Sequence, residues 1–371
     1  MKQAGLSSRQ LEIEGKIINE QSDCFVIAEV GHNHQGSVET CKEIFRAAKE
    51  AGADAVKLQK RDNKSLYTQS FYNSAYNSEN AYGPTYGAHR EALEFDEAQY
   101  REVQAYAKEL GMIFFATAFD FKSADFLANM DVPCYKLASG DLTNIPLLKY
   151  VASLGKPMII STGAGQMDEV ERAYEAIMPI NSQLAILQCT ATYPSDFENL
   201  DLNVISTYLQ AFPEPVIGFS SHDNGIAMAV AAYVLGARIV EKHFTLNRAM
   251  RGTDHAFSLE PAGLRKMVRD LRRTRVALGD GQKKMYPAET SARQKMGKKI
   301  VAARELTPGH VLQEGDLSFK SPGDGIAPYH ADLFYGKVLK VGLMEDMELS
   351  FDYVDGLETV LSTSSLAASH S

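Results

Sequence analysis

Two histidines stand at the ends of two successive apolar runs, residues 216–221 and 238–244. His222 follows the first run directly, and His243 is the penultimate residue of the second. If the runs are neighbouring strands of a barrel, the two imidazoles lie roughly 5–10 Å apart, close enough to share one divalent ion. Water or substrate would complete the coordination. The pair therefore predicts a metal site, the alternative being hydrogen-bonding histidines without metal.

A carboxylate lies near the end of an earlier apolar run, residues 25–31. Glu29 in this position can serve as a metal ligand or a general base. A carboxylate that only caps a loop or helix is the structural alternative. His32 and His34 follow shortly after, and loop hydrogen bonding is the more typical role for each of them.

Two lysines, Lys57 and Lys136, belong to two further apolar runs. Hydroxyl side chains lie at or near the carboxyl ends of other apolar runs. They are Thr117, Ser139, Ser161 and Ser220. Ammonium groups among hydroxyls and glycine N–H groups favour binding of a phosphate with a carboxylate beside it. A buried lysine is also what a Schiff-base nucleophile requires, so a class I aldolase remains open. The paired histidines argue against that alternative, because a Schiff-base enzyme needs no metal.

An aspartate in the segment after His243 is a candidate for binding sugar hydroxyls. Asp254 lies in the tetrapeptide GTDH at 252–255. Aspartate is also common in loops for purely conformational reasons, and that alternative stays open.

Eight short apolar runs alternate with amphipathic segments, which indicates parallel strands covered by helices. The runs are residues 25–31, 55–59, 112–119, 134–140, 157–163, 185–190, 216–221 and 238–244. The predicted helices are 38–50, 97–110, 123–130, 145–154, 168–177, 203–212, 225–235 and 260–278. Eight such units predict a closed (β/α)₈ barrel with its polar residues at the carboxyl ends of the strands, where barrel enzymes carry out their chemistry.

The remaining chain is organised around this barrel. Residues 1–280 are assigned to the catalytic domain, 281–299 to a linker, 300–356 to a small mostly-β domain and 357–371 to a disordered tail. The connection 61–93 is too long for an ordinary loop of this fold and is interpreted as a functional loop or lid. Strand-like pieces at 299–306 and 337–343 support the small domain.

Composition limits the compartment and the partners. The net charge is −9 with no basic stripe, so nucleic acid is not an expected partner. The chain has no signal-like start and no apolar stretch of membrane-spanning length, so we expect a cytoplasmic protein that does not bind membranes. Its four cysteines form no CxxC pair and are expected to be buried free thiols.

Within this framework the chain resembles the sialic acid synthase family. The matching stretches are AEVGHNHQG (28–36), DAVKLQ (54–59), YKLASGD (135–141), STG (161–163), LQCTATYP (187–194), SSHDNGIAMAVAAYVLGA (220–237), EKHFTLNRAMRGTDHAFSLEP (241–261) and RDLRRTRVALG (269–279). Residues 298–326 resemble the family's antifreeze-like (SAF) domain. Residues 83–95 and 285–302 are more similar to the animal-type synthases and some bacterial relatives than to the bacterial capsule enzymes.

The resemblance implies an enzyme that condenses phosphoenolpyruvate with a sugar aldehyde and releases phosphate, using Mn²⁺ or Mg²⁺. N-acetylmannosamine or a related sugar, including a 6-phosphorylated one, is the implied acceptor. His222 and His243 match the family's metal ligands, and Glu29 matches its catalytic carboxylate. The positions that match phosphoenolpyruvate contacts are Lys57, Thr117, Lys136, Ser139, Ser161 and Ser220. Those that match sugar contacts are Gln59, Asp141, Tyr193 and Asp254.

The resemblance also implies a homodimer in which the SAF domain of one protomer caps the partner's barrel. Two departures from the bacterial capsule enzymes leave the acceptor open. Ala191 replaces an asparagine, and Ser321, beside Lys320, replaces an arginine that touches the sugar in those enzymes. The alternative function is an aldolase or lyase, metal-dependent or Schiff-base-dependent, that acts on sugar acids and pyruvate.

Overall fold

A computed structural model describes residues 9–357 of the chain. The described chain divides into two compact units, residues 9–279 and 280–357. The tail predicted to be disordered lies outside the described residues except for Leu357.

The first unit begins with an antiparallel hairpin, β1 (Gln10–Ile13) and β2 (Lys16–Asn19), and continues into a closed barrel of eight parallel strands. The barrel strands are β3 (Phe25–Gly31), β4 (Ala55–Lys60), β5 (Ile113–Ala118), β6 (Tyr135–Leu137), β7 (Met158–Ser161), β8 (Leu184–Cys189), β9 (Val216–Ser221) and β10 (Ile239–His243). The strands follow chain order around the barrel, and β10 pairs with β3 to close it. The predicted (β/α)₈ barrel is confirmed.

Helices follow the strands and cover the barrel. The long ones are α1 (Val38–Ala51), α5 (Glu97–Glu109), α6 (Phe121–Asn129), α7 (Ile145–Ser153), α8 (Met167–Ile177), α9 (Val204–Ala211), α10 (Ala227–Val234) and α11 (Pro261–Leu278). Local sequence sets their ends. The Ser37 side chain accepts from the Thr40 amide at the start of α1, and Gly52, with φ +91°, ends that helix.

The hairpin was not anticipated from the sequence. Its inward side chains Leu11, Ile13 and Ile18 are almost fully buried and belong to the barrel's hydrophobic core. Alternation of apolar and charged residues at 11–14, followed by Gly15, is the signal that could have revealed it.

Three short helices occupy the long connection after β4. They are α2 (Asn63–Leu66), α3 (Gln69–Tyr72) and α4 (Tyr86–Glu91). Aromatic rings hold the segment together, with Tyr86 contacting both Tyr67 and Phe71. The segment is also tied to the stretch after β10, because Tyr82 Oη donates to the Arg251 carbonyl at 2.8 Å. Its predicted role as a lid remains a prediction.

The second unit contains a small antiparallel sheet of β11 (Lys299–Ala302) and β12 (Leu317–Lys320) around its own apolar core. The segment interpreted as a linker carries helix α12 (Thr290–Met296). One expectation is wrong: residues 337–343 form no continuous strand. They contribute isolated bridges such as Val311–Val338 and Leu306–Leu343, because their backbone partners change from one residue to the next.

Two expectations from composition can be compared with the structure. Cys24, Cys41, Cys134 and Cys189 are all free and buried, as predicted. Among the helices of residues 9–357, none is both long and apolar enough to cross a membrane.

Candidate active site

A cavity of about 510 Å³ opens at the carboxyl ends of the barrel strands. Every candidate site residue from the sequence except Asp141 lines it. The strand ends come together because all eight strands are parallel, so residues far apart in sequence share one rim. The cavity lining also includes three charged residues that sequence analysis did not single out, which are Arg61, Arg90 and Glu241.

Asp141 lies outside this cavity wall. It ends the 3₁₀ turn Ser139–Asp141, is buried, and its carboxylate accepts a hydrogen bond from Asn144 Nδ2 at 3.2 Å. This contact is typical of a residue that shapes a turn. The geometry adds no support to its assignment as a sugar contact.

Glu29 is held by two neighbours on β4. Its carboxylate forms an ion pair with Lys57 Nζ at 2.6 Å and accepts from Gln59 Nε2 at 2.6 Å. Register explains the contact, because Glu29 on β3 is the direct partner of Lys57. Burial raises the pKa of Glu29 to about 7, although the Lys57 charge lowers it in part. A carboxylate with such a pKa can exchange a proton near neutral pH.

The two lysines are paired with hydroxyls. Lys57 Nζ donates to Thr117 Oγ1 at 2.7 Å, and Lys136 Nζ donates to Ser161 Oγ at 2.7 Å. Burial lowers the pKa of Lys136 below its usual range. Ser139 Oγ accepts from the Gly163 amide at 2.9 Å, which fixes another hydroxyl on the same side of the cavity. These groups form a cluster of donors suited to an anion with several oxygen atoms.

Glu241 is a second buried carboxylate in the cavity. It lies 3.6 Å from Lys57 Nζ, and its Oε2 atom has no hydrogen-bond partner within residues 9–357. Burial would raise the pKa of Glu241, but the charges of Lys136 and Lys57 outweigh it and hold the pKa below normal. Glu241 precedes His243 by two residues, so the period of a strand could have placed both side chains in the barrel.

The two predicted metal ligands are adjacent. The rings of His222 and His243 are 5.4 Å apart between centroids, and the tilted ring of Tyr193 lies 4.2 Å from that of His222. Burial lowers the pKa of His222 to about 4 and also lowers the pKa of His243, so both rings are neutral near pH 7. Neutral imidazoles carry the lone pair that a metal ligand needs.

These histidines fit a divalent cation. His222 Nδ1 lies 2.8 Å from the Thr190 carbonyl oxygen, which places the ring proton there and leaves Nε2 unprotonated. His243 Nδ1 is buried without a hydrogen-bond partner in the described chain, and the Asp254 carboxylate lies 3.7 Å from it. Among residues 9–357, no cluster of three or more His, Cys, Asp or Glu side chains could hold a metal. Substrate or water would therefore complete the coordination.

Some polar residues at strand ends have structural roles instead. Asp120 caps α6 by accepting from the Ser123 amide at 2.8 Å. Thr162 Oγ1 donates to the Leu187 carbonyl, and Thr190 Oγ1 donates to the Asn199 carbonyl. Position at a strand end therefore does not ensure a place in the cavity.

A buried ion pair braces the backbone next to both histidines. Lys242 Nζ lies 2.9 Å from Asp223 Oδ1 and donates to Ser221 Oγ at 3.0 Å, and both charged side chains are 1% exposed. Lys242 precedes His243, while Ser221 and Asp223 flank His222. The pair therefore connects the backbone segments that carry the two imidazoles.

Removing one partner of this ion pair is expected to be costly. We expect Asp223→Asn to lower the free energy of unfolding by about 3–5 kcal/mol, because it leaves the Lys242 ammonium buried without a counter-charge. Urea denaturation would measure the change. Glu97→Gln is the matched control, since its ion pair with Arg101 is exposed and should contribute less than about 1 kcal/mol. Equal stability of Asp223→Asn and the unmodified protein would contradict this account.

The closed parallel barrel with polar groups at its carboxyl rim is the arrangement that barrel enzymes share. The chain matches the NeuB family model over residues 44–283 and the SAF domain model over residues 299–346. It belongs to the NeuB family and is an enzyme of the sialic acid, or nonulosonic acid, synthase class.

Individual relatives agree with this membership. The chain is 39% identical to human N-acetylneuraminate-9-phosphate synthase, and the match covers 93% of this chain and 97% of that protein. It is 34% identical to N,N'-diacetyllegionaminic acid synthase of Legionella pneumophila, over 90% of this chain and 95% of that protein. The crystal structure of N-acetylneuraminic acid synthetase from Leptospira borgpetersenii, in complex with citrate, is 30% identical with a TM-score of 0.66. That match covers 77% of this chain and 95% of the other.

Proposed function

We propose that this enzyme condenses phosphoenolpyruvate with N-acetylmannosamine or a related sugar aldehyde and releases phosphate. The observation that carries the proposal is the single cavity that holds two hydroxyl-paired lysines, a buried carboxylate with raised pKa and two adjacent neutral histidines. The names of its relatives, synthases of nonulosonic acids, support the same reaction class.

The lysines and hydroxyls are assigned to phosphoenolpyruvate. Lys57 and Lys136 offset its negative charge. Hydroxyl groups around it can form hydrogen bonds to it, and they belong to Thr117, Ser139, Ser161 and Ser220. Because these groups already contact one another, little reorganisation accompanies binding. Gln59, Asp141, Tyr193 and Asp254 remain assigned to the sugar as predictions, with Asp141 the one that the cavity geometry does not support.

His222 and His243 would hold Mn²⁺ or Mg²⁺, which would act as a Lewis acid toward the acceptor's aldehyde oxygen. C3 of phosphoenolpyruvate forms a bond to the aldehyde carbon as the carbonyl π bond breaks, its electron pair moves to the aldehyde oxygen, which takes up a proton, and a cationic centre is left at C2. Glu29 orients or deprotonates the water that adds at C2. The tetrahedral intermediate then loses phosphate by C–O cleavage, and the product is a 2-keto acid.

The first test is phosphate release from phosphoenolpyruvate with Mn²⁺. The acceptor panel is N-acetylmannosamine, its 6-phosphate, mannose 6-phosphate and di-N-acetylated deoxyhexoses. We expect release with at least one acceptor, its loss in EDTA and its return with added Mn²⁺ or Mg²⁺. A Schiff-base aldolase would instead be inactivated by borohydride in the presence of a carbonyl substrate, and that result would contradict the proposal.

The assembly and compartment of the enzyme are also proposals. A homodimer in which the SAF domain of one protomer caps the partner's barrel follows from the resemblance to the family. Sedimentation of the full chain would test the dimer. The four free cysteines favour a cytoplasmic location, because the cytoplasm is reducing and keeps thiols free.

A further inference from the structure

The buried ion pair of Lys242 and Asp223 lies behind the wall of the active-site cavity. Glu241 and His243, on either side of Lys242 in the chain, both line the cavity, whereas Lys242 and Asp223 do not. Successive side chains of a strand point to opposite faces, so Lys242 points away from the barrel interior and toward the layer of helices. Any effect of the pair on the reaction must therefore act through its neighbours in the chain.

Backbone pairing between the two strands ends one residue short of each histidine. The last paired residues of β9 and β10 are Ser221 and Lys242. His243 pairs with Glu29 of β3 on its other side, but within the described residues the ladder between β9 and β10 does not reach either histidine. The spacing of the two imidazoles is therefore not set by the sheet alone.

Side-chain hydrogen bonds of Lys242 bridge this gap. Its ammonium group donates to Ser221 Oγ at 3.0 Å, to the Asp223 carboxylate at 2.9 Å and to the Asp223 backbone carbonyl. The Ser221 hydroxyl in turn donates to the Asp223 carboxylate. An ammonium group has three N–H donors, and all three have acceptors here. Lys242 therefore binds the chain directly before and after His222, while it is itself joined to His243.

The rings of the two histidines are held in different ways. His222 is oriented by its Nδ1 atom, which lies 2.8 Å from the Thr190 carbonyl oxygen. His243 Nδ1 has no hydrogen-bond partner among residues 9–357. A histidine that binds metal is usually oriented by a hydrogen bond at its other ring nitrogen. The position of the His243 ring therefore depends more on its backbone, and Lys242 is the residue directly before it.

Geometry explains a buried ion pair at this place better than stability does. Removing two charges from water costs about as much free energy as their attraction returns, and apolar side chains of similar size often serve a fold equally well. Charged donors and acceptors supply what apolar side chains do not, which is one fixed arrangement of two chain segments. Both side chains are 1% exposed, so water does not compete for these hydrogen bonds.

We propose that the Asp223–Lys242 pair, together with Ser221, positions His222 and His243 relative to one another and thereby sets the affinity of the site for a divalent cation. All three are positioning residues, because none of them lines the cavity. The inference rests on the metal site of the proposed function and extends it to residues behind the barrel wall. Two imidazoles bind one ion tightly only when their supporting residues hold them at the required separation.

A double variant separates positioning from stability. Asp223→Asn combined with Lys242→Met keeps the sizes of both side chains and removes both charges, so no buried charge is left unpaired. We expect a urea midpoint near that of the unmodified protein and above that of Asp223→Asn alone. Isothermal calorimetry of the full chain should nevertheless show Mn²⁺ binding weakened by about 10–100-fold, because methionine cannot donate hydrogen bonds to the chain around His222.

Two further variants complete the test. Glu97→Gln combined with Arg101→Gln removes an exposed ion pair on α5 and should bind Mn²⁺ as tightly as the unmodified protein. Ser221→Ala removes a hydroxyl that contacts both members of the buried pair. It should weaken Mn²⁺ binding by about 3-fold or more, the effect of one lost hydrogen bond. This smaller change decides the question if the double variant does not fold.

The outcomes separate this inference from the proposed function. Weakened Mn²⁺ binding by a double variant with a near-normal urea midpoint would support the inference. A folded double variant, or Ser221→Ala in its place, that binds Mn²⁺ as tightly as the unmodified protein would overturn the inference and leave the proposed metal site standing. No Mn²⁺ binding by the unmodified protein would overturn both.

Discussion

Replacing Glu29 with glutamine is expected to lower kcat by about 1,000-fold, within the range usual for loss of a general base. The amide keeps the size of the side chain but can neither remove a proton from water nor pair with Lys57, which lies 2.6 Å from the carboxylate. Steady-state phosphate release at saturating substrates would measure the loss. Metal affinity should be unchanged, since His222 and His243 remain.

Glu94→Gln is the matched control. Glu94 is also a largely buried carboxylate with a lysine partner, at 2.9 Å from Lys60, but it does not line the active-site cavity. We expect this variant to retain kcat within about 3-fold, as for a change away from the reacting groups. Turnover by Glu29→Gln near that of the unmodified enzyme would refute the role given to Glu29.

The pH dependence of kcat/KM should reflect the ionisation of Glu29. Burial raises the pKa of Glu29 to about 7, and the base acts in its deprotonated form. The value of kcat/KM, which reports the free enzyme, should therefore fall as the pH is lowered through about 7. The residual activity of Glu29→Gln should lack this dependence. If kcat/KM of the Glu29→Gln variant still fell as the pH was lowered through about 7, the fall would be due to another group.

Replacing His243 with alanine is expected to weaken Mn²⁺ binding by more than about 100-fold, because losing even an outer partner of a ligand costs about 10–100-fold. The ring of His243 is one of two neighbouring imidazoles in the cavity, so its loss leaves a single protein nitrogen for the ion. Isothermal calorimetry with Mn²⁺ measures binding independently of turnover. We expect kcat/KM to fall by about 1,000-fold, equivalent to a few kcal/mol of lost charge stabilisation.

His34→Gln is the control for this experiment. His34 is buried, like His243, and its ring packs at a tilt against Phe95 with centroids 4.1 Å apart, but it does not line the active-site cavity. The His34→Gln variant should bind Mn²⁺ with the same affinity as the unmodified protein. Unaltered Mn²⁺ affinity in His243→Ala would show that the ion binds elsewhere or that no ion is needed.

Much of the site could be predicted from the sequence because strand periodicity is a local property. Alternating apolar runs and helices predicted the barrel, and the barrel places residues at strand ends on one rim. Glu29, Lys57 and His243 were found in this way, and each lines the cavity. Asp120 and Thr162 also occupy strand ends, but only the folded structure shows that their hydrogen bonds serve the backbone.

Other features depended on tertiary structure alone. Arg90 reaches the cavity from a long connection whose path is decided by contacts between distant residues, and no local periodicity encodes such a path. The raised pKa of Glu29 arises from burial and from Lys57 on the neighbouring strand. The sequence therefore determined which residue types reach the catalytic rim, because side-chain direction repeats along each strand. The tertiary structure decided which charges face one another, because burial and distance, rather than order along the chain, set electrostatic energies.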